Sequence, residues 1–209
     1  MALQGYIVKK VTRSEITLFI EKYHYSGSIN GCIADFCYAL YSPDKAMKGA
    51  MFFGRLAMAN QWKRFADNES DVIELRRLVL VDDTPRNAES YFIGKAIKKL
   101  AKEWAGHIIV SYADKEYGHT GIIYKAANFL CLGEKPGAKV IMYNGKKYHD
   151  KAIRTKYKGE LKPFAKEIKD ALKNGTAEYK DTAGKVTYIY KLKKRKVNVG
   201  NLAQTELAI

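Results

Sequence analysis

The strongest constraint on the fold is a helical apolar stripe set between two β-favouring runs. Ile93, Ala96, Ile97, Leu100, Ala101 and Trp104 recur at spacings of three and four, which places them on one face of an α-helix. The turn Asp82-Asp83-Thr84-Pro85-Arg86-Asn87 precedes them, with Thr84 or Asn87 suited to the N-cap, and Gly106 ends the helix. Val72 to Val81 before this helix and His107 to Tyr112 after it read as strands, the second fully buried. Strand, helix and strand in this order predict a parallel pair.

The rest of the chain supplies further strands and helices around that unit. Gln4 to Lys9 reads as a short strand. Thr12-Arg-Ser-Glu15 then forms a capping box ahead of Ile16, Phe19, Ile20 and Tyr23, so a first helix runs to about Tyr23. Cys32 to Tyr41 and Lys48 to Gly54 flank the turn-forming Ser42-Pro43-Asp44-Lys45 and predict an antiparallel hairpin. Beyond the buried strand come a loop at Ala113 to His119, a helix at about Thr120 to Phe129, the run Leu130 to Gly133, and a hairpin whose Asn144-Gly145 suits a type I′ turn. Val186 to Leu192 is the last strand-like run, and Val197 to Ile209 reads as a poorly anchored tail.

The resulting fold class is α/β, with a mixed, mainly antiparallel central sheet flanked by helices, in the order seen in GNAT-type acyltransferases. Residues 1–160 are expected to form the catalytic domain, and residues 161–209 a basic C-terminal extension packed on or beside it.

Charge narrows the partner. The 209 residues carry 37 Lys plus Arg against 22 Asp plus Glu, a formal net charge of +15, interleaved with 15 Tyr and 8 Phe. Such a field attracts polyphosphate through counterion release, and exposed rings can stack on bases. Such an excess could also serve an anionic membrane or ribosomal RNA, or simply solubilise the surface, but the interleaved rings favour nucleic acid as the expected partner, with backbone contacts from Lys146, Lys147, Lys151, Arg154, Lys156 and Lys158 and from the Lys193 to Lys196 cluster. No segment approaches ~20 consecutive apolar residues and no leader pattern opens the chain. The expectation is a protein neither secreted nor membrane-spanning, working in the cytoplasm. Cys32, Cys37 and Cys131 fit no common zinc spacing and read as buried free thiols.

Three segments carry residues suited to chemistry. In GNAT-type folds the amides that open the central helix bind the pyrophosphate of acyl-coenzyme A, because unpaired donors and the positive dipole end meet there. Here that role falls to Arg86 through Ser90, with Arg86, Asn87 and Ser90 as the cofactor-binding residues, although Gly94 is the first glycine after Thr84. Asp114 ends a buried strand, where it either accepts a hydrogen bond and a proton from an amine or caps the loop. Tyr124 either donates to a developing oxyanion, stacks on a base, or packs in the core. His24 beside Tyr25 is a general base, a metal ligand or a structural residue. Arg76 and Arg77 lie mid-strand, and strict alternation sends them to opposite faces.

Taken together, Tyr-His-Tyr-Ser-Gly at residues 23 to 27, Glu-Leu-Arg-Arg-Leu-Val-Leu at 74 to 80, and Ser-Tyr-Ala-Asp followed by Gly-His-Thr-Gly-Ile-Ile-Tyr at 111 to 124 resemble the phage Mom family. The resemblance implies a variant GNAT-like fold and conversion of adenine in double-stranded DNA to an N6-carbamoylmethyl form, which protects phage DNA from host restriction. It also implies a pocket containing His24, Tyr25, Arg76, Ser90, Asp114 and Tyr124, with acetyl-coenzyme A and an iron-dependent step as the associated cofactor expectations. The alternative is a GNAT-type N-acetyltransferase acting on a protein or small-molecule amine.

Overall fold

The computed structural model describes residues 3–193, which fall into two compact units. Among the described residues the first comprises 3–111, 126–129 and 189–193, and the second comprises 112–125 and 130–188.

The first unit holds β1 (Ile7–Val11), α1 (Arg13–Tyr23), β2 (Phe36–Tyr41), β3 (Met47–Gly54), β4 (Val72–Leu80), α2 (Ala88–Glu103) and the start of β5 (Ile108–Asp114). The strands are neighbours in the order β1-β2-β3-β4-β5, antiparallel up to β4, with β5 parallel to β4 across α2. This is the strand–helix–strand unit that the α2 stripe predicts.

Local chemistry explains the helices. The Thr12 hydroxyl accepts from the Glu15 amide, and the Glu15 carboxylate accepts from the Thr12 amide at 2.7 Å. This reciprocal cap contributes about 1 kcal/mol. Beyond it, Ile16 and Ile20 pack against Cys37 and Ala39 of β2 and Ala50 and Phe52 of β3. Directly paired residues share a face of an antiparallel ladder, and Cys37↔Phe52 and Ala39↔Ala50 are such pairs. The alternate residues Tyr38, Leu40 and Met51 therefore point to the other face, and all three are fully buried. There the Phe92 ring of α2 lies 3.3 Å from where a β-carbon on Gly49 would stand, and the Tyr91 hydroxyl donates to Tyr6 O at 2.9 Å. With helices on both faces, β2 and β3 are buried almost continuously instead of in alternation.

Two irregularities mark β4. Phe52 pairs with Arg77 but Phe53 pairs with Leu75, so Arg76 is the extra residue of a bulge. The strict alternation that separates Arg76 from Arg77 in the sequence reading is interrupted there. In addition, the β4–β5 ladder is short, running from Val72↔Ile108 to Glu74↔Val110. After Ser111 Oγ donates to Leu75 O at 3.3 Å, β4 continues to Leu80 beyond the paired stretch.

The second unit is built from shorter pieces: the end of β5, α3 (Ile122–Ala126) up to Lys125, β6 (Leu130–Lys135), β7 (Lys139–Tyr143), β8 (Lys146–His149), β9 (Lys156–Tyr157), β10 (Glu160–Leu161), α4 (Pro163–Lys173), β11 (Glu178–Asp181) and β12 (Lys185–Lys191) up to Tyr188. β12 neighbours β6, while β11-β7-β8 form a three-stranded antiparallel sheet. Asn144 (φ 48) and Gly145 (φ 70) both take the left-handed conformation that the predicted type I′ turn requires. α4 contributes Ile168 and Ala171 to a small core with Ile141 and Ala177.

Several boundaries differ from the sequence reading. The first strand begins at Ile7, and the second at Phe36. The helix expected at 120–129 contracts to Ile122–Ala126, because Gly121 (φ +75) and Asn128 (φ 64) bracket it with left-handed backbone. Cys32 and Cys37 are buried free thiols as expected, but Cys131 is exposed. Lys193 is exposed, whereas Lys194 to Lys196 and the Val197 to Ile209 tail lie outside the described residues. No helix among the described residues is long and apolar enough to cross a membrane.

Candidate active site

In the first unit, α1 ends by delivering His24 and Tyr25. His24 is the C-cap, its amide donating to Ile20 O at 2.9 Å, and its side chain is buried. The Ser26 amide donates to His24 Nδ1 at 3.1 Å, and Ser26 Oγ lies 2.8 Å from the same nitrogen. Because a backbone N–H can only donate, Nδ1 accepts, and the neutral ring carries its proton on Nε2. Tyr25 lies against this ring with centroids 4.2 Å apart, yet is 47% exposed. His24 is thus a fixed imidazole presenting an open aromatic neighbour.

Arg76 is held differently. Its guanidinium donates to Arg55 O at 2.7 Å, approaches Cys32 Sγ at 3.7 Å and lies 3.6 Å from a Glu74 carboxylate oxygen. The buried Nε atoms of Arg76 and Arg77 have no partner among the described residues. Burial also pushes the nearby core thiol Cys37 up to about 11, which keeps it protonated near neutral pH.

The α2 N-terminus is the expected anion site. Asn87 occupies the N-cap position in the left-handed conformation and makes no side-chain capping bond. Tyr91 N donates to Asn87 O at 3.0 Å, so the amides of Glu89 and Ser90 precede the first regular helical bond. Arg86 is exposed, and Ser90 Oγ donates to Asn87 O at 3.1 Å. Without a side-chain cap, the first-turn amides keep their capacity to bind an anion.

Asp114 and Tyr124 belong to the second unit. One Asp114 carboxylate oxygen accepts from the Glu116 amide at 3.1 Å, and the other pairs with Lys185 Nζ at 2.8 Å. The side chain therefore caps the loop, one of the roles open from sequence, and is also ion-paired. Tyr124 is buried, with its ring 5.3 Å from that of Tyr188. Tyr188 donates to Thr120 O at 2.9 Å. A β-carbon on Gly121 would stand 2.3 Å from the Tyr188 ring, so both the left-handed backbone and the close approach require glycine. Lys185 and Tyr188 both lie on β12 and hold Asp114 and Tyr124 respectively. The sequence reading missed both, because nothing local connects them to residues so far upstream.

The six basic residues expected to meet DNA are all exposed. Lys147 pairs with Glu116 at 3.0 Å, Arg154 pairs with Asp150 at 3.0 Å, and Lys158 lies over the Tyr157 ring. Glu116 also accepts from the Ala183 amide at 2.9 Å, and these bonds, the amide foremost, hold its carboxyl below the usual range.

Among the described residues no three His, Cys, Asp or Glu side chains converge as a metal ligand set. The iron expectation gains no support from such a cluster.

The antiparallel sheet, the parallel β4–α2–β5 crossover and the helices on both faces define an α/β protein of the GNAT acyltransferase fold. Solved structures agree. The spermidine/spermine N-acetyltransferase SpeG of Vibrio cholerae, in complex with manganese ions, aligns over 91% of this chain and 95% of that one with a TM-score of 0.51 at 8% identity. The NAA60 structure of Arabidopsis thaliana in complex with acetyl-CoA aligns over 89% and 98%, with a TM-score of 0.50 at 10% identity. At such identities the likeness is one of fold alone. The chain belongs to the Mom protein family, which it matches over residues 5–206. It is also similar to the methylcarbamoylase mom of Escherichia phage Mu, 35% identical over 83 residues that make up 37% of this chain and 32% of that protein. The matched stretch spans about a third of that relative's length.

Proposed function

We propose that the protein is a transferase acting on the exocyclic N6 amine of adenine in double-stranded DNA. Its product is N6-carbamoylmethyl adenine or a related N6-acyl-type base, which protects phage DNA from host restriction. The observation that carries this reading is the Mom family match across nearly the whole chain, joined to the likeness to the phage Mu methylcarbamoylase.

The chemistry assigns roles. The adenine amine is a weak nucleophile, because its lone pair is delocalised into the ring, and inside a duplex it is paired. Extruding the base costs a few kcal/mol, which aromatic stacking offsets in part. Tyr25 and Tyr23, 47% and 43% exposed, offer rings for this. Asp114 is the acceptor for the N6 hydrogen: each carboxylate oxygen retains a second lone pair beyond its bond to Lys185 or Glu116. Tyr124, steadied by Tyr188, is the proposed donor to developing negative charge. His24, in the tautomer that Ser26 sets, is a donor through Nε2 rather than a base. Arg76 orients an anionic group with a guanidinium already fixed at Arg55 O.

An acyl-coenzyme A fits the residues present. The β4 edge beyond its ladder offers backbone groups, the Glu89 and Ser90 amides face an incoming phosphate, and Arg86 adds charge. When bound, it would supply an activated acyl thioester, which accounts for the N6-acyl product with the coenzyme A thiol as leaving group. The N6-carbamoylmethyl product, joined through its CH2 and ending in an amide, calls for a different bond and a nitrogen donor besides. Lys146, Lys147, Lys151, Arg154, Lys156 and Lys158 hold the DNA backbone without reading sequence. The division proposed at residue 160 assigns catalysis to the residues before it and a basic extension to those after it.

The test is nucleoside mass spectrometry of plasmid DNA from cells expressing the native protein or Asp114→Ala. A new adenosine mass seen only with the native protein is expected. Unmodified adenosine despite good expression would overturn the DNA assignment in favour of an amine acetyltransferase.

A further inference from the structure

The outer face of α2 carries a charge arrangement that neither the fold nor the proposed chemistry uses. Lys95, Lys98, Lys99 and Lys102 are all exposed. Their spacings of three and four place them on one side of the helix. They line a groove of about 320 Å³ together with Tyr6, Ile7, Val8 and Tyr91. Within the helix they form like-charged neighbours at i,i+3 and i,i+4, which repel one another and disfavour the helix. The fold does little to relieve this. Glu103, at the end of the same helix, is taken by Lys10 of β1, and the described residues give none of the four lysines a carboxylate partner. Lys95 instead lies 5.3 Å over the Tyr91 ring.

We infer that this stripe is a track for the phosphate backbone of duplex DNA, separate from the basic residues of the second unit. Its length matches the ligand. Seven residues of helix at ~1.5 Å each set the outer ammonium groups about 10 Å apart along the axis. One strand of a duplex presents a phosphate about every 3.4 Å of its axis, so the stripe faces about three phosphates in succession. Tyr6 and Tyr91 form the uncharged wall of the groove, where a sugar can rest. The inference rests on the proposal that DNA is the substrate, but it concerns binding and not the reaction.

The experiment measures duplex binding against KCl concentration for the full chain and for a variant with all four lysines changed to Gln, a good helix former. Each neutralised phosphate contributes about 0.9 to the slope of log K against log salt. The variant is expected to flatten that slope by about three and to weaken binding at least tenfold at low salt, with an unchanged circular dichroism spectrum. Replacement of all four by Arg is expected to keep the native slope. An unchanged slope and affinity in a folded Gln variant overturns the track. So does selective loss of binding to phosphatidylserine vesicles with duplex binding intact, which would give the stripe to a membrane. Nucleoside mass spectrometry on the same proteins separates the two claims. Slope loss in the Gln variant with no modified adenosine from the native protein keeps the track and removes the function, whereas an unchanged slope in the variant with modified adenosine from the native protein does the reverse.

Discussion

The two units achieve order by different means. In the first, Ile16, Ile20, Phe52, Phe92 and Leu100 have no exposed surface, and two helices close the faces of one sheet. In the second, the core formed around α4 has small residues among its buried members, with Ile141 and Ile168 packed beside Ala171 and Ala177. Its loops are tied by polar bonds instead: Asp114 to Lys185, Glu116 to Lys147 and Ala183, Lys115 to Glu134, and Thr182 to Ala138. Apolar burial is not screened by ions, whereas exposed ion pairs are weakened as salt rises. The contrast teaches that the first unit is the rigid scaffold, and that the proposed acceptor Asp114 is held by contacts that solution conditions can alter.

Truncating one core residue in each unit tests this most severely. Phe92→Ala removes a fully buried ring from the first unit and is expected to cost about 3–5 kcal/mol, lowering amide-exchange protection through β2 and β3. Ile168→Ala is expected to cost about 2–5 kcal/mol but to release protection in β7 and β11. If the Ile168 variant lowered protection in β2 and β3 equally, the separation into two units would be lost.

A smaller effect is expected from Gly121→Ala. The new methyl meets the Tyr188 ring in a backbone conformation that disfavours side chains, at a cost of about 1–3 kcal/mol. Thermal melting should show the loss. Because the ring that moves is the one against Tyr124, modification of adenine should fall further than stability does. An alanine variant as stable and active as the native protein would show that Tyr188 does not fix Tyr124.

The mildest perturbation is acid. The Glu116 carboxyl has its folded pKa below the ordinary value of 4.5, so the stabilisation it gives is present above that value and is lost as pH falls through the lower folded one. Amide exchange at residues 115–119 is expected to quicken in that window for the native protein. Glu116→Gln should remove this acid dependence, and an unaltered pH profile in the variant would assign it to another carboxylate.

How far the site could be read from sequence follows the same divide between local and distant contacts. The residues suited to chemistry stood out because each lies at an element's end: His24 after α1, Ser90 in the first turn of α2, Asp114 at the end of β5. Their partners did not stand out. Cys32, which lies against Arg76, reads as a buried thiol, Glu74 opens the motif at 74 to 80 without a role of its own, and Lys185 looks like one lysine among many. α4 was hidden in a region conspicuous for its charge, although Ala165, Ile168 and Ala171 mark its buried face.

What the sequence by itself determined was whatever depends on neighbours a few residues apart. The Thr12–Glu15 cap, the α2 stripe, the β2–β3 hairpin and the Asn144-Gly145 turn all have their energetic reasons within one short window. Tertiary structure alone decided the bulge that singles out Arg76, the early end of the β4–β5 ladder, the Asp114–Lys185 pair and the contact of Gly121 with Tyr188. Each of these is an interaction between segments distant in the chain. Its strength depends on a register or a packing distance that exists only once the fold has formed.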